Sequence, residues 1–357
     1  MRSKTPLYTL IAVLITGLIL FLISLDDGDN KGKGSVPRSD ISGAEGEVVL
    51  TVPKGERNKA VGDTVAAVLS RSIFGLPRPE PSFDIVRVNR SKLTGILKDH
   101  RNIFVVSVSS EYDHAAKMGV AEDRWAKGQL YFRLSGNDKD SVIKHFLARS
   151  EMIIDRLEKA ERERMKEDYE EAYNQRLRDH LMKKHSISLK VPDAFEIKKD
   201  KERFVWLERY RRIPKGDRGL KRDLMEGILI YYEPYKSQDQ LEKEQLLQVR
   251  DSLLKAHVPG PSEGSYMITE ARYPEAAPRL EEEEFKGEYA AKIRGLWRVK
   301  NDQMGGPFIS LTTYDKERER LVTVEGFIYG PHFKKRNYLR ELEAMLYTLE
   351  FQEKSSS

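Results

Sequence analysis

The 357-residue chain contains no cysteine. That excludes disulfides, thiol nucleophiles, zinc–thiolate sites and attachment of lipid through cysteine. An excess of one charge is also lacking, since 62 basic and 57 acidic residues leave a formal charge of only +5. So even a balance does not suit a nucleic-acid binder, and no nucleic-acid partner is expected. The seven histidines include no H-E-x-x-H. His180 and His185, five apart, fall on different faces of a helix and predict no shared metal. The S-x-x-K matches at 141–144 and 252–255 lack K-T-G and S-D-N companions and read as ordinary helix positions. Residues 260–264, GPSEG, fit G-x-S-x-G, but a helix precedes and a strand follows, which is the wrong setting for a nucleophile elbow. No cofactor or metal is expected, and no catalytic residue is assigned. Scattered carboxylates neither support nor exclude a glycosidase pair.

Long hydrophobic runs are scarce too, with one exception. Residues 7–25, LYTLIAVLITGLILFLISL, are nineteen in a row without a charge, which matches the thickness of a bilayer core. Arg2 and Lys4 precede them and Asp26, Asp27 and Asp29 follow, a bias that predicts a cytoplasmic N-terminus and a translocated body. The rival is a cleaved signal peptide, but the exit at Ser24 and Leu25 offers no A-x-A-like site. A single-pass anchor in the inner, cytoplasmic membrane, with the body facing the periplasm, is the expectation. Residues 26–46 have hardly any apolar side chain and read as a flexible tether spanning roughly 25 Å.

The remaining chain is globular in composition, with 39% hydrophobic and 33% charged residues overall. A first lobe, 47–185, reads as strands near 47–52, 83–88, 103–108 and 129–134, a helix from Val61, and a long helix over about 140–184. The second half of that helix is mostly charge with a narrow apolar stripe. It reads as a solvated helix joining two lobes, or as a coiled-coil arm. The second lobe, 186–357, reads as short strands, then a helix opened by a Ser237/Gln240 capping box. A hairpin of 308–314 with 321–329 and a closing helix carrying Tyr338, Leu342, Met345, Leu346 and Leu349 complete it. The fold class predicted is α+β, with largely antiparallel sheets in both lobes. The similar element order of the lobes hints at duplication.

Four features stand out as contact candidates. Pro77, Pro79 and Pro81 alternate in an extended polyproline-type connector. Trp125 and Gln129 bound a second candidate. Gly305 and Gly306 stand before the hairpin, as a turn or as backbone closely approached. Lys334, Lys335 and Arg336 open the last helix, with Arg340 one turn on. Cations there oppose the helix macrodipole, whereas free N–H groups beside positive charge suit a phosphate or carboxylate. The competing reading is that Glu325 or the acidic run 281–284 neutralises them.

The segments LPRPEPSFD (76–84), RNIFVV (101–106), RWAKGQ (124–129), MGGPFIS (304–310) and EGFIYGPHFKKRNYLRELEAMLYTLE (325–350) resemble the bacterial family catalogued as domain of unknown function 4837. The resemblance runs over about 47–351. It implies a Gram-negative envelope protein with no established activity and no catalytic residues to carry over. Members are commonly lipoproteins with a lipid-modified N-terminal cysteine. This chain has none, and residues 7–25 substitute an anchor. The leading expectation is a non-catalytic binding or scaffolding protein with an envelope protein partner or an anionic ligand. The alternative is an envelope hydrolase or transferase acting on cell-wall or glycan material.

Overall fold

The structure, a computed structural model, describes residues 40–215 and 220–353. The membrane stretch 7–25 and most of the tether lie outside the described residues. Among the described residues, no helix is long and apolar enough to cross a membrane. The chain divides into two compact units, one of 40–71 with 83–160 and the other of 72–82 with 161–353. The division falls at Ala160 and Glu161, earlier than the 185/186 boundary read from the sequence. The proline segment 72–82 belongs to the C-terminal unit, although the chain on both sides of it belongs to the other.

The N-terminal unit is built on strands β1 (Glu47–Thr51), β2 (Asp84–Val88), β3 (Asn102–Val108), β4 (Lys117–Glu122) and β5 (Leu130–Gly136), in the order β2-β1-β3-β5-β4. Helix α1 (Glu56–Leu69) carries the chain back over the sheet, so β2 pairs parallel to β1. β3 also runs parallel to β1, and β5 parallel to β3; only β4 is antiparallel. This corrects the expectation of a largely antiparallel sheet here. The clue is in the runs VVL (48–50) and NIFVV (102–106), whose side chains are buried on both faces, as parallel strands require. One face packs Val48, Leu50, Phe104 and Phe132 against α1, α2 (Lys139–Leu147) and the first turns of α3 (Ser150–Glu171). The other face, with Val49, Ile103, Val105 and Tyr131, is covered by loop residues Leu93 and Leu97 and by Trp125.

The single long helix expected over 140–184 is three helices, α2, α3 and α4 (Gln175–His185). Asn174 makes the second break, since its side chain accepts from Leu177 N at 3.0 Å while its own N–H donates to Val191 O. That side-chain acceptor replaces the carbonyl a continuous helix would offer, and a new N-terminus begins. The tether's last residues are not loose either. Ser42 forms a parallel bridge with His100, and Gly43, at φ +88, lies so close to the His100 ring that a Cβ would sit 2.2 Å from Nε2.

The C-terminal unit holds an eight-stranded sheet in the order β10-β12-β13-β14-β9-β8-β7, with β11 also on β12. Its strands are β7 (Glu196–Lys201), β8 (Phe204–Lys215), β9 (Leu220–Pro234), β10 (Tyr266–Thr269), β11 (Arg279–Phe285), β12 (Glu288–Lys300), β13 (Gly305–Asp315) and β14 (Arg320–Tyr329). Every pairing in it is antiparallel, as expected. The two sheets differ in strand number and direction, so the similar element order does not reflect a repeated fold. A two-stranded pair, β6 (Ile187–Ser188) with β15 (Glu350–Phe351), stands beside it. Alternation along the strands sends Ile228, Ile230, Val322 and Val324 toward α4 and α6 (Arg336–Leu346). Their neighbours Leu229, Tyr231, Trp297 and Phe327 face α5 (Lys243–His257) on the opposite side. The predicted hairpin is β13 and β14, closed by Asp315 opposite Arg320. The Ser237/Gln240 motif opens a short 3-10 turn, Gln238–Leu241, and α5 proper begins at Lys243. The acidic run 281–284 is part of strand β11, with Glu281, Glu282 and Glu284 exposed.

Candidate functional site

The start of α6 is where the candidate residues converge. The carboxylate of buried Glu80 accepts from Lys335 N at 2.7 Å and from Arg336 N at 3.0 Å. An anion is therefore present at this helix N-terminus, and it is the chain's own. The Arg336 guanidinium donates to Pro81 O at 2.8 Å, and that of Arg340 to Ser82 O at 2.7 Å. Lys335 Nζ donates to Phe333 O at 3.0 Å. Burial pushes the Lys335 ammonium below its usual range; the Glu80 carboxylate opposes that shift and Arg78 adds to it. Lys334 is exposed. Neither counter-ion named from the sequence serves here, which is a second correction. Glu325 is held by Arg250 at 2.7 and 2.8 Å, and Glu281 and Glu283 pair with Lys292.

The proline segment links α1 to β2 but is not an extended connector. It is a loop whose ends meet, through a Ser72–Pro81 bridge and a 3.0 Å bond from Ile73 N to Glu80 O. Phe74 lies under the Arg279 guanidinium at 3.7 Å, and Leu76 packs against the core beneath. Pro77, Arg78 and Pro79 are exposed at its tip, while Pro81 is half-buried.

The other candidates lie elsewhere. Gly305 and Gly306 are not a turn but the first residues of β13, opposite Arg298 and Trp297. A Cβ on Gly306 would stand 1.9 Å from Ile328 O, so these glycines serve close backbone approach inside the sheet. Gln129, buried in the N-terminal unit, donates to Lys98 O at 2.6 Å and His100 O at 2.8 Å and accepts from Trp125 N. It ties loops together. Trp125 stands edge-on to Tyr131 at 5.4 Å, with the Arg124 guanidinium 5.0 Å from its ring.

Two charged clusters of the C-terminal unit escaped the sequence reading. Glu343 on α6 is buried between Arg294 at 2.5 Å, Arg162 at 3.3 Å and Lys292 at 3.8 Å. Burial disfavours its charge, but these three cations outweigh that and hold the carboxyl at about 2. The second cluster is Asp200, which lies 2.7 Å from His180 Nε2, 3.0 Å from His185 Nε2 and 2.8 Å from Lys184 Nζ. The two histidines meet on a carboxylate instead of diverging. Burial raises the Asp200 carboxyl, yet hydrogen bonds from Lys184, His180 and His185 bring it to about 2. His185 Nδ1 is 3.1 Å from the Tyr232 hydroxyl, which itself donates to Glu202 O. Burial pushes that phenol above its usual value. The sequence signals were the alternation of Lys292 and Arg294 on one face of a strand and the His180/His185 pair, whose common partner is a carboxylate.

An antiparallel sheet flanked by helices on both faces and braced by buried ion pairs makes the C-terminal unit an α+β domain. Residues 174–348 match the family described as Domain of unknown function (DUF4837). Residues 42–170 match a second family, Domain of unknown function (DUF8532). The resemblance read over 47–351 therefore divides, and the segments at 76–84, 101–106 and 124–129 fall in the second match. No curated protein matches the chain. Among solved structures, the Ran-binding protein Mog1p of Saccharomyces cerevisiae is similar at 11% identity and a TM-score of 0.30, over 46% of this chain and 90% of that one. A point mutant of protein Mog1 gives 11% and 0.29, over 47% and 91%. Likeness at that level bears on neither fold nor function.

Proposed function

We propose that this chain is a non-catalytic binding or scaffolding protein of the cell envelope. In this reading, residues 7–25 hold it in the inner membrane with its body on the periplasmic side, and loop 72–82 is presented to an envelope protein partner. The observation that carries it is the loop's construction: Pro77, Arg78 and Pro79 stand exposed on a segment fixed at its base by Glu80, Arg336 and Arg340. A proline-containing segment that is already ordered loses little freedom on binding, and aromatic-lined grooves recognise such segments. The charges flanking residues 7–25 support the orientation. The test places a photo-cross-linking residue at position 78 of the full-length chain in its native membranes, followed by affinity purification. A stoichiometric partner that weakens with Pro77→Ala and Pro79→Ala, and with Glu80→Ala, is the expected result. A chain recovered alone overturns the proposal.

The second reading, an envelope hydrolase or transferase acting on glycan material, draws on the Asp200–His185–Tyr232 chain. It requires that purified cell wall be cleaved or modified by the protein and spared by His185→Gln.

A further inference from the structure

Among the described residues, the face of the N-terminal unit away from α1, α2 and α3 is basic, aromatic and partly apolar. Its loop reads RSKLTGILKDH over 90–100. Leu93 and Leu97 turn inward onto the sheet, while Ile96 at the tip is 73% exposed. Arg90, Lys92, Lys98, Arg124 and Lys127 are exposed around it. The half-buried Trp125 ring lies among them, 5.8 Å from Lys98 Nζ and 5.0 Å from the Arg124 guanidinium. The acidic residues of the same segments are Asp99, Glu122 and Asp123. Glu122 is paired with Arg156 at 2.9 Å, and Asp123 accepts from Gly128 N. The net character is cationic.

An exposed aliphatic side chain beside an indole and a ring of cations suits the boundary between anionic headgroups and acyl chains. The entry of the chain points the same way. Ser42, the first of the described residues bonded to the body, donates through Oγ to Ile96 O at 2.7 Å and through N to Asp99 O at 2.8 Å. Among the described residues, the N-terminal end of the chain first meets the body at this loop. Only residues 26–41 separate Ser42 from residues 7–25, and a linker of that length spans roughly 22 Å. A surface tethered so closely experiences a millimolar-scale effective concentration of its target, so a weak patch suffices.

We propose that the face bearing Ile96, Lys98, Arg124 and Trp125 docks on the anionic lipid surface of the membrane in which the chain is anchored. This rests on the membrane-anchored reading above and adds a second, reversible contact to it.

The test uses the full-length chain mixed with vesicles of phosphatidylcholine alone or of phosphatidylcholine with brominated phosphatidylglycerol. Flotation with the vesicles reads the anchor. Quenching of tryptophan emission by the brominated lipid reads the docking, because Trp206 and Trp297 are buried and Trp125 is the accessible ring of the three. The expected result is flotation with both lipids, and quenching that approaches one ring's share. That quenching should disappear with Trp125→Phe, weaken severalfold with Ile96→Asp and Lys98→Glu, and fall with added salt. Ile96 and Lys98 are exposed, so these changes leave the core intact. Protein that floats without quenching, or with quenching indifferent to Ile96→Asp and Lys98→Glu, overturns the docking and leaves the anchor standing. Protein that does not float overturns both.

Discussion

Replacing Glu343 by Gln removes a charge at almost constant shape, which makes it a direct test of how the C-terminal unit is held. The side chain is 5% exposed, with Arg294, Arg162 and Lys292 all within 4 Å. Its carboxyl is held at about 2 against an ordinary 4.5, and at about 1.4 kcal/mol per tenfold that drop corresponds to about 3 kcal/mol of stability. An independent route agrees, since removing one partner of a buried ion pair costs about 3–5 kcal/mol by stranding the other. Glu343→Gln should therefore lose about 3 kcal/mol in urea unfolding at neutral pH. The pH dependence separates charge from packing. A carboxyl depressed in the fold contributes stability that is present above its ordinary value and lost as pH falls toward the folded one. The gap between wild type and variant should therefore close between about pH 5 and about pH 2. A loss below about 1 kcal/mol, or a gap that stays constant into acid, would refute the reasoning.

Glu80→Ala removes the acceptor for two helix N–H groups and should cost about 1–2 kcal/mol in thermal or chemical unfolding. Limited proteolysis near Pro77–Pro79 should accelerate with it, and unchanged cleavage would show that the loop is fixed by other contacts. Gly306→Ala sets a Cβ against Ile328 O and should cost about 2 kcal/mol or more by forcing β13 from β14, as urea unfolding would read. Burial pushes His100 and His185 below the ordinary 6.5; each stabilises the fold when neutral, a contribution complete above 6.5 and lost as pH falls through the folded value. Stability should fall below about pH 6.5, and the pair His100→Gln with His185→Gln should flatten that slope. A slope unchanged in the double variant would count against both.

What could be read from the sequence was whatever a short window contains. Alternation placed β13, β14 and the closing helix, whose Leu342, Met345 and Leu346 are buried as expected. Strand direction was harder, because it depends on which strand lies alongside. The doubly buried run NIFVV carried that information, yet a buried run alone does not name its neighbour. The long helix was misread because its charged half kept a plausible spacing across Asn174, and a single Asn reads as helix or cap with equal ease until Val191 occupies its N–H. The candidate site divides along the same line. Lys335 and Arg336 at a helix start break a local electrostatic rule, and that violation was visible; Glu80 is what answers it. The anion's identity was not visible, since Glu80 lies 255 residues away in the chain from Lys335, and no periodicity relates two such positions. The same holds for Glu343 with Arg294 and for His185 with Asp200. A charge that its own segment leaves uncompensated is evidence of a distant partner, and in this chain that partner is a side chain of the same domain before it is a ligand.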